Sequence, residues 1–273
     1  MTGQEAADRQ AAVQIDTSKP HPARMYDWFL GGKDNYPVDE QMAEQLLTID
    51  PRAREFAQVN RAFMRRAIRW LAANGVHQYL DIGTGIPTEP NLHQIAQKAA
   101  PESRIVYCDN DPIVLAHAEA LLRSTPEGVT EYIQADARNP EVILEHAAKF
   151  IDFDKPVALS LLALLHFVSD EDGAYELVDH LVERLAPGSY VVLSQTTGDF
   201  NPGGADEALE LYKARGLVLA LRTREQFERF FHGLEFVEPG VSLTAEWHPE
   251  LGERVPVAGD EPIPGYAAMA RKP

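Results

Sequence analysis

Two stretches, Tyr79-Leu80-Asp81-Ile82-Gly83-Thr84-Gly85-Ile86-Pro87 and Val106-Tyr107-Cys108-Asp109-Asn110-Asp111, narrow what this chain can fold into. Each opens as a short apolar run and reaches an acid, and the first continues into two glycines. A strand, a glycine turn, a helix and a second strand closed by a carboxylate form the nucleoside-binding half of a Rossmann-like sheet. The glycines let backbone approach a ligand closely. Asp109, 28 positions after Asp81, can accept hydrogen bonds from both hydroxyls of a ribose. The competing reading is a strand and tight glycine turn in some other α/β protein.

Two details separate the candidate nucleosides. A dinucleotide fingerprint has a third glycine three residues after the second, where helix and strand pack closely. Here Gly85 is followed by Pro87 and Thr88, and that glycine is missing. A pyrophosphate also needs a helix N-terminus free of competing negative charge. Asp81 would crowd a pyrophosphate but suits a ligand bearing an ammonium and a sulfonium. The pattern favours S-adenosylmethionine over NAD.

The 273 residues suffice for one large α/β domain with a helical appendage. With 25 Lys+Arg against 42 Asp+Glu, the net charge of -17 argues against non-specific nucleic-acid binding and for a small-molecule or cationic partner. The local exception runs from Arg52 to Arg69, where six arginines face only Glu55. They are read as a solvated helix face paired with the acidic body. One cysteine, Cys108, excludes an intrachain disulfide and a cysteine-rich zinc site. No apolar stretch has the length of a membrane span, and Met1 to Pro20 is polar rather than signal-like, so a cytoplasmic protein is expected.

Residues 1–19 lack periodicity and are expected to be a flexible tail. Residues 20–75 read as an N-terminal helical lid: a short helix from Ala23 to Leu30, a second from Val38 to Leu47, and a longer one after Pro51, stopped by Asn74-Gly75. Residues 76–273 read as the core. Helices near 89–100, 112–124, 140–149, 171–186 and 203–215 alternate with apolar runs at 104–108, 130–134, 156–165 and 189–195. Pro112 and Pro140 suit first helical positions, Asp170 an N-cap, and Thr223-x-x-Gln226 a capping box. Repeated βα units imply a doubly wound, mostly parallel sheet.

These motifs resemble those of class I SAM-dependent methyltransferases. Asp81-x-Gly83-x-Gly85 resembles the first motif and Asp109 the ribose-binding acid. Gln134-Ala135-Asp136-Ala137 resembles the segment that reads adenine, which implies that Asp136 accepts from the exocyclic amine. Pro87 departs from the general pattern. A closer resemblance is carried by Ala23-Arg24-Met25-Tyr26-Asp27-Trp28-Phe29-Leu30-Gly31-Gly32-Lys33-Asp34-Asn35, Asn60-Arg61-Ala62-Phe63, Asn110-Asp111-Pro112 and Leu164-Leu165-His166-Phe167. It is to an actinobacterial-type S-adenosyl methyltransferase family of largely unknown substrate. The resemblance implies a Rossmann-like seven-stranded sheet with the last strand antiparallel.

Methyl transfer from a sulfonium requires chiefly proximity, alignment and a dry site, so it leaves a weak residue signature. The expected cofactor-binding residues from the sheet are Asp81, Gly83, Thr84, Gly85, Asp109 and Asn110, with Asp136 and Ala137 at the adenine. Gly31 to Tyr36 is expected to fold over the cofactor mouth, with Lys33 meeting the methionyl carboxylate or an acidic substrate and Tyr26 or Tyr36 touching cofactor or acceptor. The alternative there is a Gly-Gly turn followed by an Asx turn. His166 is the general-base candidate and Tyr36 a second catalytic candidate; the alternative for His166 is a structural corner histidine. Asn91, His93 and Trp247 are read as structural. No metal-ligand spacing and no nucleophile elbow appears. The leading expectation is an enzyme that methylates a small-molecule acceptor and releases S-adenosylhomocysteine (SAH). The alternative is a SAM-binding sensor without turnover, and homodimerisation is left open.

Overall fold

β1 (Gln78–Ile82) is buried along its whole length, as a strand covered on both faces must be. The computed structural model describes residues 15–121, 123–252 and 254–273. In it β1 lies between β2 (Arg104–Asp109) and β4 (Ala158–Leu162). β3 (Val129–Gln134) and β5 (Tyr190–Thr196) extend the parallel sheet, giving the order β3-β2-β1-β4-β5. β8 (Gly265–Arg271) runs antiparallel to β5, and the two-residue strands β6 (Glu235–Phe236) and β7 (Ser242–Leu243) pair antiparallel with β8. β6 and β7 are separate strands, and the sheet has eight strands rather than seven. The sequence between them, Val237 to Val241, holds Pro239 and a left-handed Gly240, neither of which continues a ladder.

Helices cover both faces. α1 (Pro22–Phe29), α2 (Pro37–Ile49) and α3 (Ala53–Ala73) precede the sheet. α4 (Leu92–Ala99), α5 (Pro112–Leu121), α6 (Pro140–Ala147), α7 (Ala174–Glu183) and α8 (Pro202–Ala214) alternate with strands, and the short α9 (Arg224–Glu228) follows. α3 and α4 bury Phe63, Met64, Ile68, Leu71 and Leu92 against Tyr79, Ile105, Val192 and Met269. On the other face α6 and α7 bury Ile143, Leu144, Val178 and Leu181 against Leu80, Val106, Leu159 and Leu193. The two sets alternate along each strand, as the pleat requires.

Two local expectations change. The helix expected from 89 starts at Leu92, because Asn91 and Gln94 form a capping box. Asp170 does not cap α7; Gly173 does, in a left-handed conformation, and Asp170 is paired with Arg222 at 2.7 Å. α3 lies on the sheet as part of the core layer. α1 and α2 pack instead with α8, through Met25, Phe29, Met42, Ala43 and Tyr212. Of the expected tail, residues 1–14 lie outside the described residues, while Ile15 packs with Ile86, Ile113 and Val114.

Candidate functional site

The parallel order reverses at β1, which has β2 on one side and β4 on the other, and a crevice opens beyond their carboxyl ends. Into it turns the chain after β1. Gly83 and Gly85 have φ of 75° and 67°. The Gly83 and Thr84 amides both donate to the Cys108 carbonyl, at 2.8 and 3.2 Å. The Gly85 amide donates to Asp109 Oδ2 at 2.8 Å, and the Asp111 amide to Asp109 Oδ1 at 3.0 Å. The acid that ends β2 therefore holds the glycine turn in place, and each of its oxygens keeps a lone pair for a further donor.

A Cβ on Gly83 would lie 2.7 Å from a Leu164 methyl, closing the gap between this turn and the chain leaving β4. A Cβ on Gly85 would meet nothing within 4 Å. Both glycines need the left-handed region, which costs a non-glycine residue about 1–2 kcal/mol. Gly83→Ala is thus expected to lower the melting temperature more than Gly85→Ala, because it adds a collision to the same strain. Equal shifts in thermal melts would show that the Leu164 contact carries no weight.

Asp81, 8% exposed at the end of β1, accepts from the hydroxyls of Thr84 and Ser160, each at 2.5 Å. Burial pushes its carboxyl above the usual range, and those two bonds oppose the shift. Burial likewise raises Asp109, against the pull of the Asp111 and Gly85 amides. A positively charged group beside Asp81 would offset the cost of keeping it ionised there.

Both acids line one cavity of about 320 Å³. Of the expected residues, Gly83, Thr84, Gly85, Asn110, Asp136, Ala137 and Tyr26 line it as well. Val114, Tyr132, Ala135 and Ala137 contribute a largely apolar stretch of its wall, of the kind a base packs against. The Asp136 carboxylate is already engaged: Arg138 grips it with Nε at 3.0 Å and Nη2 at 2.5 Å, which holds its pKa below the ordinary value.

Lys33, Tyr36 and His166 are not among the residues that line this cavity. Lys33 is exposed. The loop that carries it is organised from within: Asp27 Oδ2 accepts from the Asp34 amide at 2.9 Å and from Asn35 Nδ2 at 3.0 Å. A Cβ on Gly32 would overlap the Asp27 carboxylate, so glycine there is demanded by this turn. Tyr36 caps α2, lies 5.5 Å from the Arg24 guanidinium, and packs with Ile86 and Ile113. Arg24 in turn meets Asp111 at 3.1 Å, and His21 meets the same carboxylate at 3.0 Å, which ties α1 to the loop after β2. His166, 4% exposed, lines a second cavity behind Tyr26 and Phe167. Burial, aided by the Arg222 charge, pushes its imidazole down to about 3, so it is a neutral ring and a weak base.

Tyr26 is fixed by a buried chain of hydrogen bonds. Its hydroxyl donates to the Ala57 carbonyl and accepts from Asn60 Nδ2, both at 2.9 Å. Asn60 Oδ1 accepts from the Ser194 hydroxyl at 2.5 Å, and the Ser194 side chain and carbonyl both receive the amide of Ala163. Ala163 lies on the cavity wall with φ 53°, a strained value for a residue with a Cβ.

Arg61 was not among the expected site residues, and the solvated-face reading of its segment is corrected at two positions. Arg66 is buried, donating to the carbonyls of Trp247 and Thr244 at 2.7 Å each. Arg61 lines the cavity, giving Nη2 to the Thr88 carbonyl at 2.8 Å while its Nε is buried without a hydrogen-bond partner among the described residues. The signal was legible: Ala57, Arg61, Met64 and Ile68 follow helical spacing, which sets this arginine inside the apolar stripe of α3. Asn91 caps α4, and His93 is buried against the Tyr107 hydroxyl at 3.0 Å. Trp247 is core, edge-on to Phe63. Among the described residues no cluster of His, Cys, Asp and Glu could hold a metal ion, and no helix is long and apolar enough to cross a membrane.

The residues present fit S-adenosylmethionine. A buried acid pair, a guanidinium nitrogen with no hydrogen-bond partner among the described residues, a glycine turn and an apolar stretch of wall share one cavity. A family model described as S-adenosyl methyltransferase matches residues 8–273. A DUF574 family protein from Streptomyces avermitilis is 46% identical, with a TM-score of 0.90 over 95% of this chain and 100% of its own. A candidate methyltransferase from Thermobifida fusca is 37% identical, with a TM-score of 0.85 over 96% of this chain and 98% of its own. The plantazolicin methyltransferase BpumL, solved with SAH, is 14% identical with a TM-score of 0.52 over 92% and 95% of the two chains, and shares the fold. No curated protein matches the chain.

Proposed function

Because the chain belongs to the S-adenosyl methyltransferase family, we propose that its 320 Å³ cavity holds S-adenosylmethionine and that the enzyme methylates a small-molecule acceptor. The observation that carries this reading is the meeting of Asp81, the glycine turn, Asp109 and Arg61 at the point where the sheet order reverses. Asp109 takes the ribose hydroxyls, Asp81, already held by the hydroxyls of Thr84 and Ser160, takes the ammonium, and Arg61 the methionyl carboxylate. Val114, Tyr132, Ala135 and Ala137 sandwich the adenine. Since Arg138 occupies the Asp136 carboxylate, backbone groups of residues 135–137 are the better partners for the base edge.

When bound, S-adenosylmethionine supplies a methyl group already activated on a sulfonium. The acceptor's nucleophilic atom forms its bond to the methyl carbon as the carbon–sulfur bond breaks. The electron pair stays on sulfur, and any acceptor proton leaves to solvent. The protein's part is alignment and exclusion of water. Room for an acceptor, which a sensor without turnover would not need, lies beyond Tyr26 and Phe167.

Calorimetric titration with SAM, SAH and NADH tests the reading. Binding of SAM and SAH in the micromolar range, and none of NADH, is expected; a folded protein that binds neither SAM nor SAH would overturn it. Arg61→Ala is expected to weaken SAH roughly 10- to 100-fold, the loss of one charge-assisted contact of about 1.5–3 kcal/mol. Arg61→Lys should recover part of it, because a point charge replaces a fork. SAH affinity unchanged in Arg61→Ala would move the carboxylate site elsewhere.

A further inference from the structure

The second cavity, of about 820 Å³, adjoins the first and shares with it Pro22, Tyr26 and Phe167. Its walls come from α1, α3, α8 and the segments after β4 and β5, outside the glycine turn and the acids. Phe29, Phe56, Phe167 and Tyr212 turn aromatic rings toward it, with Phe167 and Tyr212 stacked at 6.2 Å. Such rings favour a flat apolar guest, or a cation over their faces, and disfavour a carboxylate.

Among the aromatic rings of this wall stands one buried imidazole. His166 is held between Phe167 at 4.2 Å and Phe56 at 6.4 Å. Its Nδ1 is buried, and the ring makes no hydrogen bond among the described residues. A buried polar atom left unpaired is destabilising, so a partner is owed there. The neutral imidazole has one donor and one acceptor nitrogen, which matches a hydroxyl or an amine.

The charged groups on the cavity are Asp50, Asp199 and Glu261 against Arg52. Arg52 is spent locally, with Nε on Glu55 at 2.9 Å and its other nitrogens on the carbonyls of Glu261 and Ala258. Asp199 Oδ2 takes the Tyr266 hydroxyl at 2.8 Å and the Arg224 amide at 3.1 Å. The surplus of negative charge would repel an anionic guest.

Building on the cofactor reading above, we propose that this second cavity is the acceptor site. Its guest is a flat ring compound that carries an amine or hydroxyl, bears no carboxylate or phosphate, and bonds to His166. Phe167 and Tyr26 stand between guest and cofactor and set the line of approach.

The test uses one ring frame with three charges: 6-(aminomethyl)quinoline, 6-hydroxyquinoline and quinoline-6-carboxylate. Saturation-transfer NMR and titration are run on the full chain saturated with SAH. The amine and the phenol are expected to bind at least tenfold more tightly than the carboxylate. His166→Phe should weaken the phenol at least fivefold while SAH affinity stays within twofold. Ala208→Phe fills the cavity from α8 and should abolish all three; Ala205→Phe, half-buried on the same wall, serves if the first variant melts early. Normal SAH binding with no quinoline bound, with the carboxylate bound equally well, or with the filled variants binding as before would overturn the proposal and leave the cofactor reading intact. A folded protein that does not bind SAH overturns both.

Discussion

Asp109→Ala is expected to weaken SAM and SAH at least 100-fold, about 2.7 kcal/mol, while the protein stays folded. Two losses combine. The ribose loses its carboxylate, and each hydrogen bond to a charged acceptor contributes about 1.5–3 kcal/mol. The amides of Gly85 and Asp111 lose their acceptor as well, at the turn that shapes the cavity. Asp109→Asn separates these contributions. It keeps one oxygen for an amide, so it should retain the turn but lose most of the ribose affinity. Titration of both variants reads this directly, and a loss below fivefold in Asp109→Ala would mean that the ribose is held by other groups.

The second large effect is acid instability set by two buried histidines. Burial holds His166 at about 3 and His93 at about 4, against about 6.5 for an exposed imidazole. Both folded values lie below the unfolded one, so between pH 6.5 and 4 the unfolded chain binds more protons. Stability that is fully present above pH 6.5 is lost as pH falls, at about 1.4 kcal/mol per pH unit for each histidine, or about 2.7 for the pair. Asp81 and Asp109, raised by burial, act in the opposite sense, contributing most at low pH and losing that contribution as pH rises through their folded values. Melting temperature is expected to drop steeply below pH 6.5 in the free protein, and His93→Gln with His166→Gln should flatten that slope. An unchanged slope in the double variant would assign the acid transition to other groups.

Much of this was legible in the residues. Strand positions and the parallel core follow from apolar runs bounded by glycine and proline. Capping is local chemistry, so Thr223-x-x-Gln226 opens α9 as read, with Thr223 accepting from the Gln226 amide. Asp81, the glycines and Asp109 converge because each ends or follows a strand of the same sheet edge. Other features needed the tertiary structure. The block Gly31 to Asn35 looks like a ligand loop because its chemistry is dense, yet Asp27, a partner within the preceding helix, accounts for the backbone turn. Asp136 could be located but not its Arg138 clamp. That His166 faces a second cavity depends on α1, α3 and α8 meeting there, which no local pattern encodes. Arg61 is the one missed residue that helical phase alone could have marked.

The cofactor cavity draws on Tyr26, Arg61, Asp81, Asp109, Asp136, Phe167 and finally Gly216 to Val218. Its first and last wall residues are separated by most of the chain, and Tyr26 is seated through Ser194 of β5. During synthesis, then, a ribosome must release about four-fifths of this polypeptide before a complete site exists. The glycine turn and its acid emerge early, but the walls that would retain a ligand arrive late. Ligand capture is therefore coupled to late folding, and a bound cofactor reports a chain in which α1 has already met α8 and the segment that follows it.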